Sequence, residues 1–243
     1  MEVVEGDPSR PATLAPHLDG VGTLFLHPRA FGESAGELLA LARERGVTRV
    51  VALAAFNIDD PLDEQPSRLR GDRNKECEAA AVASGLEWTS LRPAAFAGNS
   101  IGAWGRQICA GDVVRYVHAS FAEAPIDERD LAEIIARVLV DGGFAGRRLE
   151  LTGPRSITHE QMVAAIGAAI GRPLRWEEVP PETFTRHLAQ AGLPRLFVEG
   201  LLARYARHAG KPHRVTGDAA EVLGRPARTF AAWAAEHAGA FRA

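Results

Sequence analysis

The sequence predicts an α/β protein with a mainly parallel sheet, and three observations lead to this class. Short apolar segments alternate with helical segments through the first 153 residues. Residues 49–56 are apolar on both alternations, as expected of a strand that helices cover on both faces. After Gly153 helical segments predominate. We therefore predict a sheet domain over residues 1–153 and a small helix-rich domain over residues 154–243. No long linker separates them, so we expect the two domains to pack together.

Five segments of the first part have the composition and bounding turn signals of strands, and the segments between them are helical. The predicted strands are residues 2–7, 23–26, 49–56, 88–93 and 149–153. The predicted helices are residues 12–18, 31–45 and 74–83, and an amphipathic helix that Asp127 can cap. In the second part, Thr158 and Gln161 form a capping box. A strand over 173–179 and helices over 182–191, 195–208 and 229–238 follow.

Composition restricts the classes of function. The chain of 243 residues has a net charge of −3, which argues against a basic nucleic-acid-binding surface. Cys77 and Cys109 are too few for a disulfide framework and fit a reducing compartment. No apolar run approaches the ~20 residues that span a bilayer, and the acidic residues 1–7 do not form a signal peptide. We expect a cytoplasmic protein whose partner is a small molecule, not a nucleic acid or a membrane.

Several segments together carry a resemblance to a known family. They are residues 3–7, 20–21, 45–51, 83–93 and 224–230, and the most specific is Ser84-Gly85-Leu86-Glu87-Trp88-Thr89-Ser90-Leu91-Arg92-Pro93. The chain resembles the NmrA-like atypical short-chain dehydrogenases/reductases over nearly its whole length. The resemblance implies a Rossmann-like domain that binds NADP or NAD, and a small C-terminal domain on the substrate side. Some members reduce quinones or other small carbonyl or enone compounds, whereas others sense the dinucleotide and regulate partners.

The chain departs from the family pattern at its start. Family members begin with a strand, a glycine-rich turn and a helix that hold the pyrophosphate, and no such motif follows a strand here. The sequence therefore resembles an N-terminally truncated Rossmann-like domain that begins at the third strand, with cofactor binding impaired or lost. A misassigned gene start and a genuinely shortened protein both explain this. In the chain as given, either Val3 and Val4 pair with residues 23–26 or the first segment is loosely held. We expect direct pairing through a right-handed crossover, because unpaired buried backbone is costly.

The second departure concerns catalysis. Typical short-chain dehydrogenases use a Tyr-x-x-x-Lys pair with a serine, in which the tyrosine donates a proton. The two tyrosines here, Tyr116 and Tyr205, are not followed by lysine at the fourth position. Ala54 and Ala55 stand where the resemblance implies the serine. No complete triad is present, so a proton must come from another group or from water.

Ligands of open α/β sheets bind beyond the carboxyl ends of the strands, and this rule selects the turns after the second, third and fourth predicted strands. The resemblance implies that the first two of these turns lie along the cofactor, and it adds Lys75 as a contact to a ribose or a phosphate. Each has an ordinary structural alternative: a solvated turn for His27 and Arg29, an exposed lysine for Lys75, and core packing for Phe96. The candidate cofactor-binding residues are His27, Pro28, Arg29, Phe56, Asn57, Lys75, Pro93, Ala94, Ala95 and Phe96.

The candidate substrate residues follow the fourth predicted strand. Asn99 could orient a carbonyl, and Trp104 and Tyr116 could line the substrate side, with a core role at least as favoured for Trp104. Glu76 and Glu78 are interpreted as solvated helix charges, and Cys77 as a small core residue. The histidines show no metal-ligand spacing, so we predict no metal site.

Three functions remain open from the sequence. The first is an NAD(P)H-dependent oxidoreductase acting on a small aromatic, quinone or enone substrate, in which the cofactor supplies hydride. The second is a non-catalytic NAD(P)-sensing regulator, which the missing tyrosine–lysine pair favours. The third is a cofactor-independent enzyme or binder of an aromatic small molecule.

Overall fold

The computed structural model of the protein describes residues 3–242. Among these residues the strands are β1 (Thr23–Leu26), β2 (Arg49–Leu53), β3 (Glu87–Pro93), β4 (Val113–Tyr116), β5 (Ala122–Glu123), β6 (Arg147–Leu151), β7 (Ile157–Thr158) and β8 (Arg175–Glu178). The α-helices are α1 (Ala35–Glu44), α2 (Pro66–Leu69), α3 (Asn74–Ala83), α4 (Arg106–Ala110), α5 (Glu128–Asp141), α6 (His159–Ile170), α7 (Pro181–Gln190), α8 (Arg195–His208), α9 (Asp218–Leu223) and α10 (Phe230–Glu236). Short 3-10 helices cover Pro11–His17, Leu62–Glu64 and Ala238–Phe241, and a π-helical turn covers Ile101–Gly105.

The chain forms two compact units, each built from separate stretches of sequence. The first unit comprises residues 1–59, 71–93 and 132–150. Its sheet has the strand order β1-β2-β3-β6, and the β1-β2 and β2-β3 pairs are parallel. Its apolar core is formed by buried residues of the strands and of the helices α1 and α3, such as Leu26, Leu39 and Cys77. The predicted α/β class with a parallel sheet is confirmed.

The second unit comprises residues 60–70, 94–131 and 151–243. Its core is rich in large side chains, among them Trp104, Phe121 and Trp233, and two small sheets, β4-β8 and β5-β7, border it. Gly153 allows two backbone segments to lie close together, because a Cβ at this position would clash with the carbonyl oxygen of Pro125. The division into domains at residue 153 stays a prediction.

Several predicted elements are confirmed, and local sequence signals explain why. The bounds of β1, α3 and α8 are those the sequence predicts. Thr158 and Gln161 form the complete capping box of α6, and Gly171 ends this helix in the left-handed conformation. Asp127 caps α5, since its Oδ1 accepts a hydrogen bond of 2.8 Å from the backbone N–H of Arg129.

The predicted pairing of Val3 and Val4 with β1 is wrong. Residues 3–7 have no regular structure and Val3 is 84% exposed; Glu2 lies outside the described residues. The adjoining turn has local partners instead, because the backbone N–H of Asp7 donates to Thr13 Oγ1 at 2.9 Å. Two valines without a neighbouring strand bury too little apolar surface to order an extended segment.

Two other expectations differ from the structure, and three short strands were not predicted. The helix predicted from residue 31 begins at Ala35, because Gly32 adopts a φ of +57° and Phe31 is buried in the core as part of a turn. Strand β2 ends at Leu53, although Ala54 N–H still donates to the carbonyl of Leu91 at 2.7 Å. The short strands β4, β5 and β7 were not predicted, since two to four residues give too weak a pattern.

The structure bears on two compositional expectations. Both cysteines are free thiols. Within residues 3–242, no helix has the length and apolarity needed to cross a bilayer.

Candidate functional site

The turn after β1 carries His27, Pro28 and Arg29. Pro28 is buried, whereas His27 and Arg29 are exposed. The guanidinium of Arg29 forms two hydrogen bonds with Asp72, at 2.6 and 3.0 Å. Partial burial and the charge of Arg29 lower the pKa of His27 below its ordinary value. One edge of Arg29 is therefore already engaged, and a phosphate would have to compete with Asp72 for it.

The turn after β2 continues the sheet pairing beyond the strand. The backbone N–H of Phe56 donates to the carbonyl of Pro93 at 3.0 Å. Phe56 and Asn57 are half-buried, and Asp59 is exposed at the end of the turn. The structure thus places the predicted residues Phe56 and Pro93 side by side at the carboxyl edge of the sheet.

Lys75 lies in the first turn of α3, with its side chain 61% exposed. Its Nζ is 3.8 Å from Asp59 Oδ1, whose side chain is 64% exposed. A long ion pair between two exposed groups contributes little to stability. The ammonium of Lys75 therefore remains available to a ligand at modest cost.

A buried charge network behind this edge was missed by the sequence interpretation. Glu78 is 6% exposed, so its description as a solvated helix charge is wrong. It accepts hydrogen bonds from Ser90 Oγ at 2.5 Å, from Arg92 Nε and Nη2 at 2.7 and 2.6 Å, and from Arg148 Nε at 2.7 Å. Burial by itself would raise its pKa, but the hydrogen bonds from Arg92, Ser90 and Arg148 outweigh it and lower the pKa to about 2.

A signal for this network was present in the sequence. Ser90 and Arg92 alternate along β3 and thus share one face of the strand, in which residues 89–93 are all buried. A charged residue on such a face requires a partner of opposite charge. The neighbouring Cys77 is a buried core residue as predicted, and burial raises the pKa of its thiol to about 12.

The candidates after β3 belong to the second unit from Ala94 onward. Ala94 N–H donates to Leu151 at 2.9 Å, and the carbonyl of Ala95 accepts from the N–H of Ile126 at 2.9 Å. Phe96 is half-buried and forms a parallel bridge with Ile126. These bonds fix the backbone of the turn, and its alanine side chains leave room beside it.

The three candidate substrate residues have different surroundings. Asn99 is exposed, whereas Trp104 and Tyr116 are 2% and 7% exposed in the core of the second unit. Their rings pack edge to face at 5.9 Å between centroids, together with His159, Trp176, Phe184 and Tyr205. Burial raises the pKa of Tyr116 to about 12, while its hydrogen bond with Tyr205 opposes that rise. Both tyrosines are thus neutral, buried phenols, and a role for Trp104 and Tyr116 toward a substrate stays a prediction.

The first unit suits an anionic dinucleotide, for which a parallel sheet of this kind is a common scaffold. Two acidic side chains near the strand ends form ion pairs with arginines: Asp72 with Arg29, and Asp59 with Arg92. Their negative charges therefore repel an anionic ligand less. The side chains that follow β2 are those of the small Ala54 and Ala55, and Lys75 supplies an exposed cation. Within residues 3–242, no cluster of three or more metal-ligating side chains occurs. Together, fold and site define a Rossmann-like dinucleotide-binding protein.

Comparisons with known proteins define the family. Residues 1–142 match the model of an NAD(P)H-binding family, and the chain belongs to this family of NmrA-like, atypical short-chain reductases whose cofactor is NADP or NAD. A (4-alkanoyl-5-oxo-2,5-dihydrofuran-3-yl)methyl phosphate reductase of Streptomyces griseus is 34% identical over 99% of this chain and 84% of its own. An NAD(P)H azoreductase of Xenophilus azovorans is 26% identical over 100% of this chain and 85% of its own.

Solved structures share the fold. An NADPH-dependent quinone oxidoreductase of Escherichia coli in complex with NADPH superposes with a TM-score of 0.78 at 22% identity, over 96% of this chain and 82% of its own. A triphenylmethane reductase of Citrobacter complexed with NADP(H) has a TM-score of 0.78 at 18% identity, over 98% of this chain and 84% of its own. The predicted Rossmann-like, NmrA-like class is confirmed.

Proposed function

We propose that this protein is an NAD(P)H-dependent reductase of a small conjugated acceptor, a quinone or an enone. The observation that carries the proposal is its 34% identity, over nearly the whole chain, to a reductase of a dihydrofuranone that bears an alkanoyl group. Relatives named as an azoreductase and a quinone oxidoreductase support the same substrate class.

The chemistry of the chain agrees with an acceptor of this kind. Both tyrosines are buried phenols with raised pKa values, because burial disfavours the phenolate, and both are therefore poor proton donors. A quinone or enone spreads the negative charge of hydride addition over its own conjugated system, and water can then supply the proton. The bound cofactor would supply the hydride, and the protein would supply orientation and a dry pocket.

We assign the cofactor to the strand ends and the substrate to the second unit. The residues proposed to hold the dinucleotide are His27, Pro28, Arg29, Phe56, Asn57, Lys75, Pro93, Ala94, Ala95 and Phe96, and those proposed on the substrate side are Asn99, Trp104 and Tyr116. The basic Lys75 would contact a ribose or a phosphate. The small alanines permit close approach of a ring.

The proposal is tested by titrating the purified protein with NADPH and NADH and then following dinucleotide oxidation with a panel of quinones and enone lactones. We expect saturable binding and turnover with a conjugated acceptor. Binding without oxidation by any acceptor would favour the sensing role, which the buried tyrosines also suit. Stabilisation by an aromatic ligand but not by either dinucleotide would favour a cofactor-independent binder. That this chain binds the dinucleotide weakly stays a prediction, which the same titration measures.

Replacing Lys75 by alanine should weaken NADPH binding about tenfold, the effect expected from loss of one charge-assisted hydrogen bond. The thermal midpoint should stay unchanged, because the ion pair of Lys75 with Asp59 is long and exposed. Lys211→Ala is the matched control, since Lys211 is also exposed and donates to a backbone carbonyl, that of Arg207, at 2.9 Å. Equal dissociation constants for the two variants would remove Lys75 from the proposed site.

A further inference from the structure

The guanidinium of Arg92 is held from three directions within the first unit. Its side chain is 9% exposed, and Nε and Nη2 form a fork on the carboxylate of Glu78. That carboxylate is fixed in turn by Ser90 and Arg148. Because the fork is bidentate and planar, it determines the direction in which the remaining nitrogen of Arg92 points.

The remaining nitrogen of Arg92 reaches the loop that follows β2. Arg92 Nη1 donates to Asp59 Oδ2 at 2.8 Å, and Asp59 closes the loop 56–59. The start of the same loop is bound to the end of β3 through the Phe56–Pro93 hydrogen bond. Asp59 also lies within 3.8 Å of Lys75, so one exposed carboxylate connects the buried arginine with the exposed lysine.

We propose that Arg92, locked in place by Glu78, is a positioning residue that fixes the loop 56–59 through Asp59 and thereby prepares this edge of the sheet for the nicotinamide dinucleotide. The positioning rests on the geometry of the first unit alone. Its consequence for cofactor binding rests on the proposed function. Arg92 does not touch the dinucleotide in this proposal, because each of its three nitrogens donates to Glu78 or Asp59 and its side chain is only 9% exposed.

The two contacts of Arg92 differ in how much they should contribute to the stability of the first unit. The contact between Glu78 and Arg92 is buried, so its loss would lower stability throughout the first unit. The contact between Arg92 and Asp59 has one exposed partner, and its loss should leave the stability nearly unchanged. Asp59 is therefore the position at which loop placement can be separated from folding.

The test is Asp59→Asn, with amide hydrogen exchange of the cofactor-free protein and the dissociation constant of NADPH as readouts. We expect exchange in the loop 56–59 to accelerate about twofold to fivefold and NADPH binding to weaken by a similar factor, the range of one half-exposed ion pair. The thermal midpoint should not change. Asp19→Asn is the control, because Asp19 is also exposed and pairs with an arginine, Arg45, at 3.3 Å. Asp19 precedes β1 and so lies on the side of the amino ends of the strands, away from the loop 56–59.

A double-mutant cycle with Arg92→Lys identifies the residue through which Asp59 acts. A lysine cannot bind Glu78 bidentately and also reach Asp59, so Asp59→Asn should have no further effect in that background. A persisting effect there would assign the loop placement to Lys75 and overturn the proposal. If Arg92→Lys does not fold, the comparison of Asp59→Asn with Asp19→Asn decides by itself.

The two readouts separate failure of the positioning from failure of the proposed function. Unchanged loop exchange in Asp59→Asn would overturn the positioning role, whatever happens to NADPH. Accelerated exchange in a protein whose wild type binds no NADPH would support the positioning role and contradict the proposed function. Accelerated exchange with an unchanged dissociation constant would overturn the link between loop placement and cofactor binding.

Discussion

Replacing Asp130 by alanine is expected to lower the free energy of unfolding by about 3 kcal/mol. Asp130 lies in the first turn of α5 with its side chain 0% exposed. Its Oδ1 accepts from Arg225 Nη2 at 2.9 Å and from Arg228 Nη1, and its Oδ2 accepts from the backbone N–H of Arg228 at 2.6 Å. The arginine side chains are 35% and 32% exposed and can turn toward water, so the cost lies at the lower end for a broken buried pair.

Denaturant unfolding of Asp130→Ala and of a control measures this cost. Glu199→Ala removes an exposed carboxylate that pairs with Arg195 within α8, and such a pair contributes about 0.5 kcal/mol or less. Equal midpoints and slopes for the two variants would show that the Asp130 contacts contribute no more than a surface pair. A large loss confined to Asp130→Ala would show that they hold the segment 225–228 against α5.

The second large effect concerns the acid dependence of stability. His159 is 2% exposed among aromatic rings, and burial lowers its pKa from 6.5 to about 4, although backbone hydrogen bonds to Val117 and His118 oppose that shift. Below pH 6.5 the unfolded chain gains a proton at this residue while the folded protein does not. The contribution of neutral His159 is therefore complete above pH 6.5 and is lost as the pH falls toward 4. Between pH 7 and pH 5 the loss should be about 2 kcal/mol.

His159→Gln should remove this part of the pH dependence, because glutamine keeps a hydrogen-bond donor but does not titrate. The exposed His187 provides the control, and His187→Gln should keep the wild-type slope. The comparison belongs above pH 5, since Glu78, with a pKa of about 2 against an ordinary 4.5, makes stability fall further in more acidic solution. A wild-type slope in His159→Gln would mean that another group titrates in this range.

Local sequence signals predicted those elements that are stabilised by neighbours in the chain. The capping box of Thr158 and Gln161 and the cap at Asp127 are formed as expected, because each joins residues no more than three positions apart. The apolar pattern of β2 was sufficient to place it inside a parallel sheet. Val3 and Val4 show the limit of such signals, because a strand needs a partner that two apolar residues do not specify.

The candidate site could be predicted only in part. The rule that ligands bind at the carboxyl ends of parallel strands selected the turns after β1, β2 and β3, and the hydrogen bond between Phe56 and Pro93 brings two of these turns together. Glu78 was misjudged, because on its own helix it resembles any solvated glutamate. Its partners Ser90 and Arg92 lie 12 and 14 positions away, and only the packing of α3 on β3 brings them to it.

The sequence by itself determined the α/β class and, through its motifs, the resemblance to an NAD(P)H-binding reductase family. It did so because strand and helix periodicities and caps depend on residues close together in the chain. The tertiary structure decided which charges are buried and paired. The partners of Asp130 lie 95 and 98 positions away, and those of Glu78 reach 70 positions along the chain. Whether a carboxylate is solvated or holds a loop in place depends on such distant neighbours, because burial makes an unpaired charge costly and a paired one specific.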